Sequence, residues 1–157
     1  MINFIKSRRS CRNYQDKSVT KEQLNEIVEC GLMAPSGMNT QGIHITVVSD
    51  EVILNAINEA VGRDCVYSAP ALLVVHCDED YNYAYTDGSC TMASMYFAAE
   101  ALGLGACWIN QLKDIKDSNV MKQLGLDTQC IVGSLAVGYK GEEKTPRSLN
   151  LDRVRYF

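Results

Sequence analysis

The sequence predicts an α+β or α/β sandwich, and three observations carry that prediction. Helical and strand-like periodicities alternate in the order helix, helix, strand, helix, strand, helix, short strand, helix, strand, extension. One apolar run, "ALLVVHC" at 71–77, shows no alternation and follows Pro70, which suits a central strand covered on both faces. At 157 residues and 46% hydrophobic, the chain has the size of one domain, 1–157, with a real core.

Each element has its own local reason. Asn3 to Arg8 form a short amphipathic segment. "SVTKEQLNEIVECGLMAP" is the strongest helix signal: Thr20 and Gln23 make a capping box, and Leu24, Ile27, Val28 and Leu32 recur at helical spacing. Pro35 forces the chain out after Met33 or Ala34, so the helix spans 21–33. "SGMNTQ" is a polar loop, after which Ile43, Ile45 and Val47 alternate with His44 and Thr46 as in a half-buried strand. A helix follows over 50–61, then the 71–77 strand and the loop "DEDYNYAYTDG". From Asp87 to Leu102 small and apolar residues dominate, predicting a buried helix capped by Asp87 and stopped at Gly103. A short helix over 117–124 ends at Gly125, and "CIVGSLAVGY" reads as a strand whose glycines at 133 and 138 permit close packing. The tail "KGEEKTPRSLNLDRVRYF" has no periodicity.

Charge and composition exclude several classes of function. Asp plus Glu (19) exceed Lys plus Arg (15), a net charge of -4, so no nucleic-acid partner is expected and basic residues act locally. No apolar run reaches the roughly 18 to 20 residues of a membrane span, and "MINFIKSRRS" lacks the apolar core of a signal peptide, so the expected location is cytoplasmic, with no membrane partner. Seven cysteines, odd in number and never in a CxxC pair, read as reduced thiols that act as small packed residues. His44 and His76 stand on different strands with no carboxylate or cysteine at ligand spacing, so no metal is expected. Tyr81, Tyr83 and Tyr85 alternate before Asp87 as a rim, an interface or a packed surface loop.

Three stretches carry chemistry. Arg8, Arg9 and Arg12 with Ser10 offer forked donors and a hydroxyl that match a phosphate, or else form a solvated basic turn paired with acids. "APSGMNTQ", 34–41, is a loop able to bring backbone N–H groups and Asn39 against a flat polar ligand, or a plain helix stop. "ALGLGACWIN", 101–110, is no dinucleotide fingerprint: position 108 is Trp where a third glycine belongs, and the run follows a helix.

Read together, Arg8-Arg9-Ser10-x-Arg12-x-Tyr14, "APSGMNTQ", "ALGLGACWIN" and "GYKGEEKTPRSLNLDRVRYF" resemble, in order and over nearly the whole chain, the nitroreductase family of FMN-dependent enzymes. The resemblance implies an α+β three-layer sandwich, a mainly antiparallel central sheet flanked by helices, with a C-terminal extension reaching the partner subunit of a homodimer. It implies that FMN lies at the subunit interface. Arg8 and Ser10 would hold its phosphate, Arg9 would shape that pocket, and Arg12 would reach the ribityl chain and the pyrimidine edge of the ring. In the tail Arg147 matches another phosphate ligand better than Lys144 does. Pro35, Ser36, Gly37 and Asn39 would line the ring of the partner's cofactor, and a backbone N–H of Asn110 or Gln111 would meet the flavin nitrogen that accepts hydride. The implied reaction is ping-pong transfer from NADH or NADPH to a nitroaromatic, a quinone or a similar flat small molecule, with no catalytic residue required. The chain departs from the family at Gln41-Gly42-Ile43, where members often carry Gln-Pro-Trp, at Gly62, where some place an asparagine on the flavin, and in being short. A protein that stores, delivers or senses FMN would share the phosphate ligands, and a plain binding module with ion-paired arginines would bind none.

Overall fold

A computed structural model describes residues 2–142, 144–145 and 147–157. Its helices are α1 (Ile2–Ser7), α2 (Lys21–Leu32), α3 (Glu51–Val61), α4 (Ala84–Ala101) and α5 (Asn119–Gln123). The strands are β1 (His44–Val48), β2 (Ala71–Asp78), β3 (Leu104–Ile109) and β4 (Gln129–Tyr139), in the order β1-β2-β4-β3 with every pairing antiparallel.

The sheet is the middle of three layers, because the period of two in its strands sends alternate residues into two cores. Leu73, Val75 and Cys77 of β2 and Leu135 and Val137 of β4 meet α2 and α4, through Leu24, Ile27, Met92 and Met95. Leu72 and Val74 with Ala136 face α3 and α5, through Leu54, Ile57, Val120 and Met121. The unbroken apolar run of β2 is thus buried on both sides, as its sequence predicts.

Local signals place most helix ends. Thr20 Oγ1 accepts from Gln23 N at 3.2 Å while Gln23 Oε1 accepts from Thr20 N at 3.1 Å, the reciprocal box that starts α2. Asp50 caps α3, Ser118 caps α5, and Gly103 follows the end of α4 in the left-handed region at φ 75°. Two expectations are corrected. Helix α4 begins at Ala84, and Asp87 lies inside it with its carboxylate turned to the 36–42 loop, so it caps nothing of its own helix. In β1, Val47 is 41% exposed while Val48 is buried, because β1 is an edge strand whose far end α2 does not cover.

His76 on β2 is half-buried and hydrogen-bonded at both ring nitrogens. Its Nε2 lies 3.0 Å from Thr46 Oγ1 and its Nδ1 3.1 Å from Gln129 Oε1, a pairing that suits Nδ1–H donating to the amide oxygen and Nε2 accepting from the hydroxyl. Burial pushes its pKa down. A depressed histidine pKa stabilises the fold above the unfolded value of about 6.5, and that contribution is lost as pH falls through the lower folded value. Urea midpoints should therefore drop as pH falls below about 6.5, and His76→Gln should flatten this part of the profile.

Candidate functional site

The segment after α1 is laid along the free edge of β3. Ser10 pairs with Ala106 in parallel, and Cys11 N donates to Ala106 O at 2.8 Å. Farther on, Tyr14 pairs with Lys140, and Gln15 N donates to Tyr139 O at 2.9 Å, so the segment crosses from β3 to the end of β4. Tyr14 fastens this crossing: its hydroxyl lies 2.9 Å from Cys11 O and 3.1 Å from Ala136 O, and burial pushes its pKa up.

This path sorts the three arginines. The Arg8 guanidinium sits 4.4 Å from the ring centroid of Tyr96, whose hydroxyl donates to Ala106 O at 2.6 Å. Burial raises the Tyr96 pKa, while a hydrogen bond with Ser10 and the charge of Arg8 pull it down. Arg12 lies 5.7 Å from the Tyr67 ring centroid, and a hydrogen bond with Tyr67 raises its pKa. Arg8, Ser10 and Arg12 thus share one strand edge. Arg9 donates to Thr145 O, tying down the tail beside a small pocket that it lines together with Ser10 and that also holds the Lys140–Glu100 ion pair at 2.6 Å. Lys144 pairs with Glu142 at 3.0 Å, and Arg147 is exposed two residues beyond the tethered Thr145.

The 35–42 loop leaves α2 and caps the other end of α4. Met38, Asn39 and Gln41 have φ of 53°, 56° and 53°, left-handed conformations that cost about 1–3 kcal/mol each for residues other than glycine. Gly37 N donates to both oxygens of Asp87, at 3.1 and 3.0 Å, and Tyr81 OH donates to Asp87 Oδ2 at 2.6 Å. The Tyr81 hydroxyl is also hydrogen-bonded to Thr40, and Gln41 N donates to Ser36 Oγ at 3.1 Å. Side chains at Gly37 and Gly42 would strike Tyr83 and Tyr81 at 2.8 and 2.6 Å, so two of the three tyrosines form the bed on which this loop lies, while Tyr85 stays exposed. Pro35, Met38 and Asn39 are exposed on its outer side.

Asn110 and Gln111 follow β3. Trp108 Nε1 donates to Asn110 Oδ1 at 2.9 Å, and Gln111 opens a 3-10 turn, Gln111–Ile115. From Ala106, beside Ser10, to Asn110 is four strand residues, about 13 Å. From Tyr96, under Arg8, back to Asp87, under the loop, is nine helical residues, about 13 Å as well. One chain therefore assembles Arg8, Ser10 and Arg12, and holds Pro35–Asn39 and Asn110–Gln111 apart from them. Gly62 ends α3 in the left-handed region, at φ 80°. Sequence reading missed Tyr96, Tyr67 and the loop-holding role of Asp87. Tyr96 had a signal, as the hydroxyl-bearing aromatic in a run of small residues, whereas Tyr67 had none.

The edge offers forked cations and a hydroxyl in reach of solvent, the donor set of a phosphate site. Among the described residues no group of three or more His, Cys, Asp or Glu could hold a metal, and no helix is long and apolar enough to cross a membrane.

The sequence profile of the Nitroreductase family matches residues 5–66 and 60–139. The structure superposes on a nitroreductase with bound FMN from Bacteroides fragilis with a TM-score of 0.92 and 30% identity, covering 99% of this chain and 97% of the other. A protein of Archaeoglobus fulgidus, provisionally named as an NADH dehydrogenase/NAD(P)H nitroreductase, is 28% identical over 91% of this chain and 87% of its own. An FMN reductase [NAD(P)H] of Bacillus subtilis is 28% identical over 72% of this chain and 55% of its own.

Proposed function

Because the chain belongs to the nitroreductase family, we propose that it is an FMN-dependent oxidoreductase, taking hydride from NADH or NADPH and passing electrons to a flat electrophilic small molecule such as a nitroaromatic or a quinone. The observation that carries this reading is the placement of Arg8, Ser10 and Arg12 together on the β3 edge, which fits the phosphate and the anionic side of a flavin. The FMN bound by the Bacteroides fragilis relative, 30% identical over nearly the whole chain, supports the cofactor assignment.

When bound, FMN supplies the hydride and electron transfer. The chain's own residues bind and orient. Arg8 and Ser10 hold the phosphate, with Arg147 brought in from the tail that Arg9 tethers at Thr145. Arg12 would hold a fixed positive charge toward the pyrimidine edge of a bound flavin. A backbone N–H of Asn110 or Gln111 would face the ring nitrogen of a bound flavin. Pro35, Ser36, Gly37 and Asn39, about 13 Å from the arginines along their own chain, line the ring held by a partner. The working unit is then a homodimer of single 1–157 domains in the cytoplasm, its tail lying on the partner. Donor and acceptor take turns at one open slot, a ping-pong order.

An absorption spectrum followed by anaerobic titration with NADH and then NADPH tests the proposal. The expected result is a flavin spectrum that bleaches with one or both donors. A flavin spectrum that persists would favour an FMN store or sensor, and protein that takes up no added FMN would reduce the arginines to a basic turn.

A further inference from the structure

The mechanism leaves one buried charge unexplained. Asp87 is 5% exposed, and among the described residues it takes part in no ion pair. A buried carboxylate is costly unless donors surround it. Here the principal donors come from outside its own helix: the Gly37 N–H, fifty residues earlier, and the Tyr81 hydroxyl, with Thr86 Oγ1 farther off at 3.4 Å. Gly37 opens the turn in which Met38, Asn39 and Gln41 are held left-handed, a shape that persists only where the surroundings impose it. Tyr81 reaches the far side of the same turn through Thr40 and lies against Gly42. Asp87 is thus the common anchor of both ends of the loop.

We propose that Asp87, acting with Tyr81, is a positioning residue that locks the Ser36–Gln41 loop in the shape that meets a partner subunit's flavin. This rests on the proposed function, since the loop's target is the cofactor assigned there. Asp87 touches neither cofactor nor substrate; it acts through Gly37. Its charge serves the bond: an anionic acceptor makes a stronger hydrogen bond to a backbone N–H than a neutral one.

The test compares Asp87→Ala, Asp87→Asn and Tyr81→Phe in the intact protein, reading FMN affinity and the hydrogen-exchange rate of the Gly37 amide. In Asp87→Ala, FMN should bind at least about tenfold more weakly and Gly37 should exchange at least about tenfold faster, the low end of what a lost charge-assisted bond is worth. The amides of β2 and β4 should keep their protection. Asp87→Asn, which retains an acceptor for Gly37, should restore much of both, and Tyr81→Phe should fall between. A folded Asp87→Ala protein with unchanged FMN affinity, or Tyr81→Phe with unchanged FMN affinity if the alanine variant fails to fold, would overturn the positioning role and leave the flavin reading standing. Weakened FMN with Gly37 still protected would also overturn it, since the effect would not pass through the loop. Wild-type protein that binds no FMN would overturn the flavin reading, and the loop's role with it.

Discussion

Replacing Arg8 and Arg147 together by alanine is expected to weaken FMN binding by about 3–6 kcal/mol, roughly 10²- to 10⁴-fold, at about 1.5–3 kcal/mol for each charge-assisted bond to phosphate. The two residues reach the site by different routes. Arg8 is braced over Tyr96, so its fork is already oriented before any anion arrives. Arg147 sits on the exposed tail, two residues beyond the Thr145 carbonyl that Arg9 grips. Helix content should hold, because neither side chain belongs to a core cluster. Arg8→Lys should recover only part of the affinity, since an ammonium cannot offer two parallel donors. Equilibrium titration with FMN, alongside circular dichroism, reads both quantities. Unchanged affinity in the double variant would remove the phosphate site from this edge.

Gly105→Val is expected to cost both stability and cofactor. Gly105 lies in β3 where the N-terminal segment crosses, and a Cβ there would meet Cys11 Cβ and Sγ, each at 2.7 Å, and Lys140 Cγ at 2.9 Å. The lysine can swing aside. Cys11 cannot, because its backbone N–H is bonded to Ala106 O at 2.8 Å and Tyr14 clasps its carbonyl. The segment must therefore lift from the strand, at about 1–3 kcal/mol for overpacking, which for a chain of this size lowers the melting temperature by about 2–12 °C. Ser10 and Arg12 flank Cys11, so FMN affinity should fall more steeply than stability. Pairing Gly105→Ala with Cys11→Gly, which opens the space, should restore part of the binding. A Gly105→Val protein that melts and binds FMN as the wild type does would show that this crossing does not set the site.

The sequence by itself determined whatever depends on neighbours within a few positions. Thr20 and Gln23 start α2 through their own reciprocal bonds, Gly103 ends α4, and the apolar run of β2 requires cover on both faces wherever the strand lies. The order of the motifs placed the chain in its family, and the cluster of Arg8, Arg9 and Arg12 with Ser10 was visible as a phosphate-like donor set. Tertiary structure decided what depends on partners far along the chain. Asp87 reads as a helix cap from its neighbours, yet Gly37, fifty residues earlier, claims its carboxylate, and α4 starts before it. Val47 keeps the alternation of a half-buried strand, but an edge position leaves it exposed. Arg9 stands between two site arginines in sequence and is turned to the tail because Ser10 and Cys11 lie along β3. Tyr67 and Tyr96 become the supports of Arg12 and Arg8 only once α4, β3 and the turn after α3 have packed around that edge, which no local pattern encodes.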